Sequence, residues 1–187
     1  MGPSQAPKRE VVLEIGITPT SHAIDRGGAE PIMLACESVQ RAITDCLPAD
    51  VSCRIGPHGI GALPHESRST IHSTVEWWRS HRPREYADAE ILVCSSAVTW
   101  EYGGMVTSLG GPVGVASYGD WMGDPLYRRI LLHEVGHCLG LRHEHGRRWS
   151  NDGESVATAM APVYPARSRL GFSDEAAAEL RRYAGVD

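Results

Sequence analysis

His133-Glu134-Val135-Gly136-His137-Cys138-Leu139-Gly140-Leu141-Arg142-His143 is the stretch whose reading decides the fold. His133 and His137 are four residues apart, so on a helix they share one face, one turn above the other. Two imidazoles stacked in this way can share a cation. Gly140 tolerates the left-handed conformation that stops a helix, and the sharp turn behind it lets His143 swing back beneath the first two. Three neutral imidazoles on one side of Zn²⁺ leave a fourth position open for water, which a catalytic site requires. Zinc lowers the pKa of such a water to about 7. Glu134 points about 100° away from the two-histidine face but reaches that water from the side, as general base and proton shuttle. A shuffled chain of the same composition would show this pattern about once in several thousand.

Working outward, Asp124-Pro125 opens the motif helix, with Asp124 as a natural cap and Pro125 suited to the first turn. The helix runs through Leu131, Leu132, Val135 and Leu139 to Gly140. Before it, glycine-rich residues 103–119 hold two extended pieces, Met105–Leu109 and Val113–Ser117, whose glycines suggest bulges or close backbone approach by something else. Ala89–Cys94 reads as a buried strand. Ile71, Val75 and Trp78 predict a helix within Ser67–Ser80. Further upstream lie a strand over Glu10–Ile17, a helix over Glu30–Leu47 stopped by Pro48, and a short strand over Val51–Ile55. Downstream, Ser173 caps a last helix that runs through Tyr183 and ends at Gly185. The order predicts an α/β (α+β) fold. A mixed, mostly parallel twisted sheet carries helices that include the zinc-binding one, and a small C-terminal part ends in a helix.

With 187 residues, the chain suits a single domain with a sizeable core. A net charge of −5 without runs of like charge argues against a nucleic-acid surface. No stretch nears the roughly 20 apolar residues that span a bilayer, so no membrane partner is expected. The first ten residues lack the apolar core of a secretory signal. The expected location is therefore the cytoplasm, or outside the cell if a leader has been removed. Five widely spaced cysteines without a C-x-x-C pair speak against a cysteine zinc site and for buried or free thiols, with one or two disulfides as the other reading. His22, His58, His65, His72, His81 and His145 read as surface or satisfied histidines, and Trp77-Trp78 as packing.

At every fixed position, His133–His143 resembles the metzincin signature H-E-x-x-H-x-x-G-x-x-H of zinc peptidases. Downstream, Ala159-Met160-Ala161-Pro162-Val163-Tyr164 is similar to the Met-turn and specificity-pocket wall of matrixins. The resemblance implies that Met160 lies under the zinc without ligating it, and that Pro162 and Tyr164 line the pocket for the residue after the cut. In astacins and serralysins a zinc-reaching tyrosine comes two residues after the methionine; Pro162 stands there, so no fifth, tyrosyl ligand is expected. Asp120 and Asp124 flank a loop that could hold Ca²⁺, as in matrixins, but without a spaced run of oxygens a plain helix-cap role is the stronger reading. The resemblance further implies an extended protein or peptide substrate pairing with an edge strand near Gly104–Leu109; the chain itself is expected to be a monomer. Residues 1–9 are expected as a disordered lead-in to one catalytic domain over 10–187. Its N-terminal part, 10–140, would hold the active-site helix and its C-terminal part, 141–187, the Met-turn.

Two other readings stay open. A gluzincin- or deformylase-like hydrolase shares H-E-x-x-H alone, and for a gluzincin Glu154 lies at a tolerable distance to be the third ligand. A catalytically silent zinc-binding module would hold the metal without using Glu134.

Overall fold

The computed structural model describes residues 11–64, 70–95, 103–118, 124–162, 167–168 and 170–186. The β-branched run that opens the chain forms β1 (Val11–Pro19). It is followed by α1 (Ser21–Gly27), α2 (Glu30–Thr44), β2 (Val51–Pro57) and α3 (Ile71–His81). Then come β3 (Ala89–Ser95), β4 (Gly104–Val106), β5 (Val113–Tyr118) and the motif helix α4 (Asp124–Cys138). A 3-10 turn over His143–His145 leads to β6 (Arg148–Asn151), β7 (Glu154–Ala157), β8 (Arg167–Ser168) and α5 (Asp174–Tyr183).

The main sheet has the order β2-β1-β3-β5-β4. Its first four strands are parallel, and β4 closes the edge antiparallel to β5, with Met105 opposite Val115. The fold is thus the mixed, mostly parallel α/β arrangement expected. Parallel strands buried on both faces are near-continuously apolar, and every residue of β3 is buried. Alternation assigns its two faces. Ile91 and Val93 join α2 and α4 in the larger core, whereas Leu92 and Cys94 pack with Ile71, Val75 and Trp78 of α3. The motif helix therefore rests on one side of the sheet and α3 on the other.

Some expected boundaries move for local reasons. The helix expected to reach Leu47 stops at Thr44, where the Asp45 N–H closes on the Arg41 carbonyl. α3 starts late because Thr70 and Ser73 form a reciprocal capping box; residues 65–69 lie outside the described residues. The extended piece expected over Met105–Leu109 is cut short at Val106 by a turn in which the Gly111 N–H donates to the Ser108 carbonyl and Gly110 has φ 71°. α1 and the three-stranded sheet β6-β7-β8 were not anticipated. The β6–β7 hairpin had a readable signal, because Asp152-Gly153 supplies the two positive φ values, 49° and 81°, of a tight hairpin turn.

Trp78 locks α3 to the sheet. Its ring is 2% exposed and its Nε1–H donates to the Glu90 carbonyl at 2.9 Å. Removing an indole of this kind costs about 3–5 kcal/mol. Trp78→Ala is expected to lower the melting temperature by about 10 °C; calorimetry showing a loss of no more than about 2 °C would refute this account of the α3 interface.

Candidate active site

α4 is buried nearly all round, from Tyr127 to Cys138, so its motif residues have almost no freedom. The helix ends as the glycine demands. Gly140 has φ 83°, its N–H donates to the His137 carbonyl at 3.1 Å, and the Leu141 N–H donates to the Gly136 carbonyl at 2.8 Å. This pair of bonds is the Schellman closure. Arg142 is then extended and the chain doubles back into the 3-10 turn that carries His143. His145 closes that turn: its Nδ1 accepts from the Arg142 N–H at 3.1 Å. A histidine expected to be satisfied locally thus supports the third motif histidine.

The three motif imidazoles converge. The Nε2 atoms of His133 and His137 are 3.0 Å apart, those of His133 and His143 3.1 Å, and those of His137 and His143 3.2 Å. The other ring nitrogens explain the orientation. His133 Nδ1 lies 2.8 Å from the Ala159 carbonyl and His137 Nδ1 lies 2.7 Å from the Leu141 carbonyl. A carbonyl can only accept, so both Nδ1 atoms carry the proton and both Nε2 atoms present bare lone pairs. Burial holds these rings neutral: it pushes the His133 pKa down to about 3, with the neighbouring imidazoles and the Arg129 charge acting in the same direction, and it also lowers His137. Two facing lone pairs 3.0 Å apart repel unless a cation lies between them. Donors sharing a tetrahedral zinc ion at about 2.0–2.1 Å stand roughly 3.3 Å from one another. The three spacings therefore fit such an ion, and so do the lone pairs that His133 and His137 present. Among the described residues this is the one group of three His, Cys, Asp or Glu side chains placed to hold a metal.

Glu134 is 3% exposed, and burial raises its carboxyl to about 8. It lies against the edge strand: a Cβ built on Gly104 would come within 2.5–2.6 Å of its Cγ, Cδ and Oε1. The close approach expected of the glycines in 103–119 is thus made by the Glu134 side chain. Met160 is 1% exposed and packs under the helix, where a Cβ on Gly136 would meet its Sδ at 2.5 Å. Its turn is closed by the Ala161 N–H donating to the Thr158 carbonyl. The loop behind His143 lies against this turn so closely that a Cβ on Gly146 would fall 2.3 Å from the Ala161 nitrogen. Pro162 is exposed. Tyr164, expected beside it, lies outside the described residues, as does Asp120; Asp124 begins α4. Glu154 begins β7, paired with Asn151. Burial pushes the Cys36 and Cys53 thiols up to about 12, away from the thiolate form that binds metal.

Gly104 and Arg129 escaped the sequence reading. Gly104 carried a signal only as one glycine among several. Arg129 carried one too: it is one of two adjacent arginines in α4 and stands four residues before His133, on the same helix face. On the other sheet face, Trp77 stacks on His81 at 4.7 Å and lines a cleft of about 390 Å³ with Thr18, His58 and Ile60. That cleft shares no lining residue with the triad.

A family model described as Peptidase M66 matches residues 86–157, under half of the chain but including the whole triad. Metalloproteinase-II from Bacteroides fragilis has a similar structure, with TM-score 0.62 and 14% identity over 96% of this chain and 55% of that one. A chain in a chaperone-substrate complex is also similar, with TM-score 0.59 and 14% identity over 95% of this chain and 35% of that one. The present chain thus spans about half the length of the first and a third of the second. Comparison with curated proteins finds no match. The family match supports a metallopeptidase, and the two structural likenesses show the fold.

The buried Glu134 carboxyl also gives the metal-free protein a pH signature. Its proton is held more tightly folded, at about 8, than unfolded, at about 4.5. The folded state therefore binds the extra proton between these values, and stability falls as pH rises through them. Chelator-treated Glu134→Gln, uncharged at every pH, is expected to melt about 5–10 °C above the equally treated wild type at pH 9, with the gap closing near pH 4. Equal melting temperatures at pH 9 would contradict a carboxyl buried in this way.

Proposed function

We propose that this chain is a zinc-dependent endopeptidase of the metzincin type, with His133, His137 and His143 as metal ligands and Glu134 as general base. The observation that carries the reading is the set of three Nε2 atoms 3.0–3.2 Å apart, two of them fixed as lone-pair donors by carbonyl partners. When bound, Zn²⁺ supplies a Lewis acid that polarises a peptide carbonyl and makes water a nucleophile at neutral pH.

The protein residues do the remainder. Glu134 takes a proton from the attacking water and delivers it to the leaving amine, and burial raises its carboxyl toward the pKa such a shuttle needs. Among the described residues β4 is the edge strand of the sheet, beside this carboxylate, so an extended peptide adding to that edge would bring its backbone alongside Glu134. Met160 is read as the Met-turn methionine and Gly140 as the turn that returns His143. Pro162 and Tyr164 are read as wall residues of the specificity pocket. His143 is the third donor brought to the pair, which favours this reading over the Glu154 alternative.

The test incubates the purified chain with a diverse peptide pool, with and without a zinc chelator, and reads cleavage by mass spectrometry. Cleavage is expected, abolished by the chelator and restored by zinc. His143→Ala should lose bound zinc, whereas Glu134→Gln should keep it and lose about 10²–10⁴-fold in turnover. Loss of zinc with Glu154→Ala but not with His143→Ala would overturn the ligand assignment. A biological activity untouched by Glu134→Ala would point to the silent zinc module.

Gly104 offers a finer test. Gly104→Ala displaces the Glu134 carboxyl without touching a ligand. Zinc content should stay at the wild-type level while turnover falls at least about 10-fold; unchanged turnover would show that this contact does not place the base.

A further inference from the structure

We infer that Arg129 is a positioning residue for the metal centre, clamping the turn whose carbonyl orients His133. The inference rests on the metal-binding reading above.

Arg129 lies on α4 four residues before His133, so both side chains share a helix face. It is 0% exposed. A guanidinium keeps its charge at any accessible pH, and burying one is strongly unfavourable unless its donors are engaged. Here Nη2 donates to the Ala161 carbonyl at 2.7 Å and to the Thr158 carbonyl at 3.3 Å. Those carbonyls stand at the two ends of one tight turn, and one amino group serves both.

The residues between them are the ones the site uses. Ala159 turns its carbonyl to His133 Nδ1 at 2.8 Å, and Met160 packs beneath Gly136. The turn has other holds, the Ala159 N–H on the Gly171 carbonyl and the Thr158 N–H on the Arg147 carbonyl. Both tie it to neighbouring loops. Arg129 ties it to the helix that carries two of the ligands, so helix, turn and His133 ring move as one body.

This clamp makes the His133 tautomer durable. If the turn drifts from α4, the Ala159 carbonyl leaves the ring, Nδ1 loses its acceptor, and Nε2 is no longer held at 3.0–3.1 Å from its two companions. Groups that orient a ligating histidine typically change metal affinity about 10–100-fold when removed. Arg129 acts one bond further out, through the turn, and a lost hold of that kind loosens the ring without removing any ligand.

The experiment titrates zinc into metal-free wild type, Arg129→Met and Val39→Ala against a chromophoric chelator, and records the Co²⁺ absorption spectrum of each. Val39 is fully buried on α2 and contributes to the core alone. Arg129→Met is expected to bind zinc about 10–100-fold more weakly and to shift the Co²⁺ bands. Val39→Ala should lose thermal stability but keep the wild-type spectrum and affinity. Wild-type affinity and spectrum in Arg129→Met overturn the positioning role while leaving the metal reading intact; so does an equal loss in Val39→Ala. Should Arg129→Met fail to fold, Arg129→Gln, shorter and uncharged, replaces it under the same criteria. A wild-type chain that binds no metal overturns the reading beneath.

Discussion

Two hydrogen bonds from imidazole Nδ1 atoms to backbone carbonyls govern this molecule. By fixing the proton on the outer nitrogen of His133 and His137, they leave two lone pairs 3.0 Å apart in a protein interior, an arrangement that is unfavourable until a cation fills it. Everything nearby serves to hold that arrangement. The buried length of α4 sets the spacing of the pair, the Schellman closure at Gly140 supplies the Leu141 carbonyl, and the turn over Thr158–Ala161 supplies the Ala159 carbonyl. The Leu141 carbonyl lies four residues beyond His137, at the end of the same helix, whereas the Ala159 carbonyl comes from 26 residues beyond His133, so the pair is complete only once the distant turn has docked on α4.

Exposure across the triad is graded. His133 is buried, His137 half-buried and His143 exposed. The centre therefore has a dry floor and a wet mouth, with Glu134 on the dry side against the edge strand. A carboxyl in such a place favours its neutral form, while one facing solvent would stay ionised. The same burial that raises Glu134 lowers His133, so one low-dielectric wall sets the base toward neutral pH and keeps a ligand ring unprotonated. A single mixed α/β core accomplishes both, because α4 carries the two residues side by side.

The parts of this design that depend on local chain chemistry were legible in the sequence. The four-residue spacing of the first two histidines, the glycine that ends the helix and the return of His143 follow from helix geometry and the φ freedom of one residue. The buried strands β1 and β3 were plain from their apolar runs. The supports were not legible, because they are long-range. Nothing in Ala159 announces that its carbonyl meets a ring 26 residues earlier in the chain, and Gly104 acquires its meaning only when β4 is placed at the sheet edge beside α4. The short helix α1 has two glycines at its end and too few turns to show periodicity. The hairpin β6–β7 was announced by Asp152-Gly153, but its short strands lack the alternation that identifies a half-buried sheet.

Because the supports are long-range, ligand orientation and folding are not separable here. A site made of mutually repelling lone pairs subtracts from the stability of the metal-free chain, and a bound cation returns that contribution together with its own binding free energy. The cores on the two faces of the sheet must supply the difference. That accounts for the placement of the motif on a helix buried almost all round, where an exposed amphipathic helix could rotate or fray to relieve the repulsion. The rigidity of α4 is then a requirement of the chemistry, and the apolar residues between the histidines, Val135 and Cys138 among them, do as much to shape the centre as the histidines themselves.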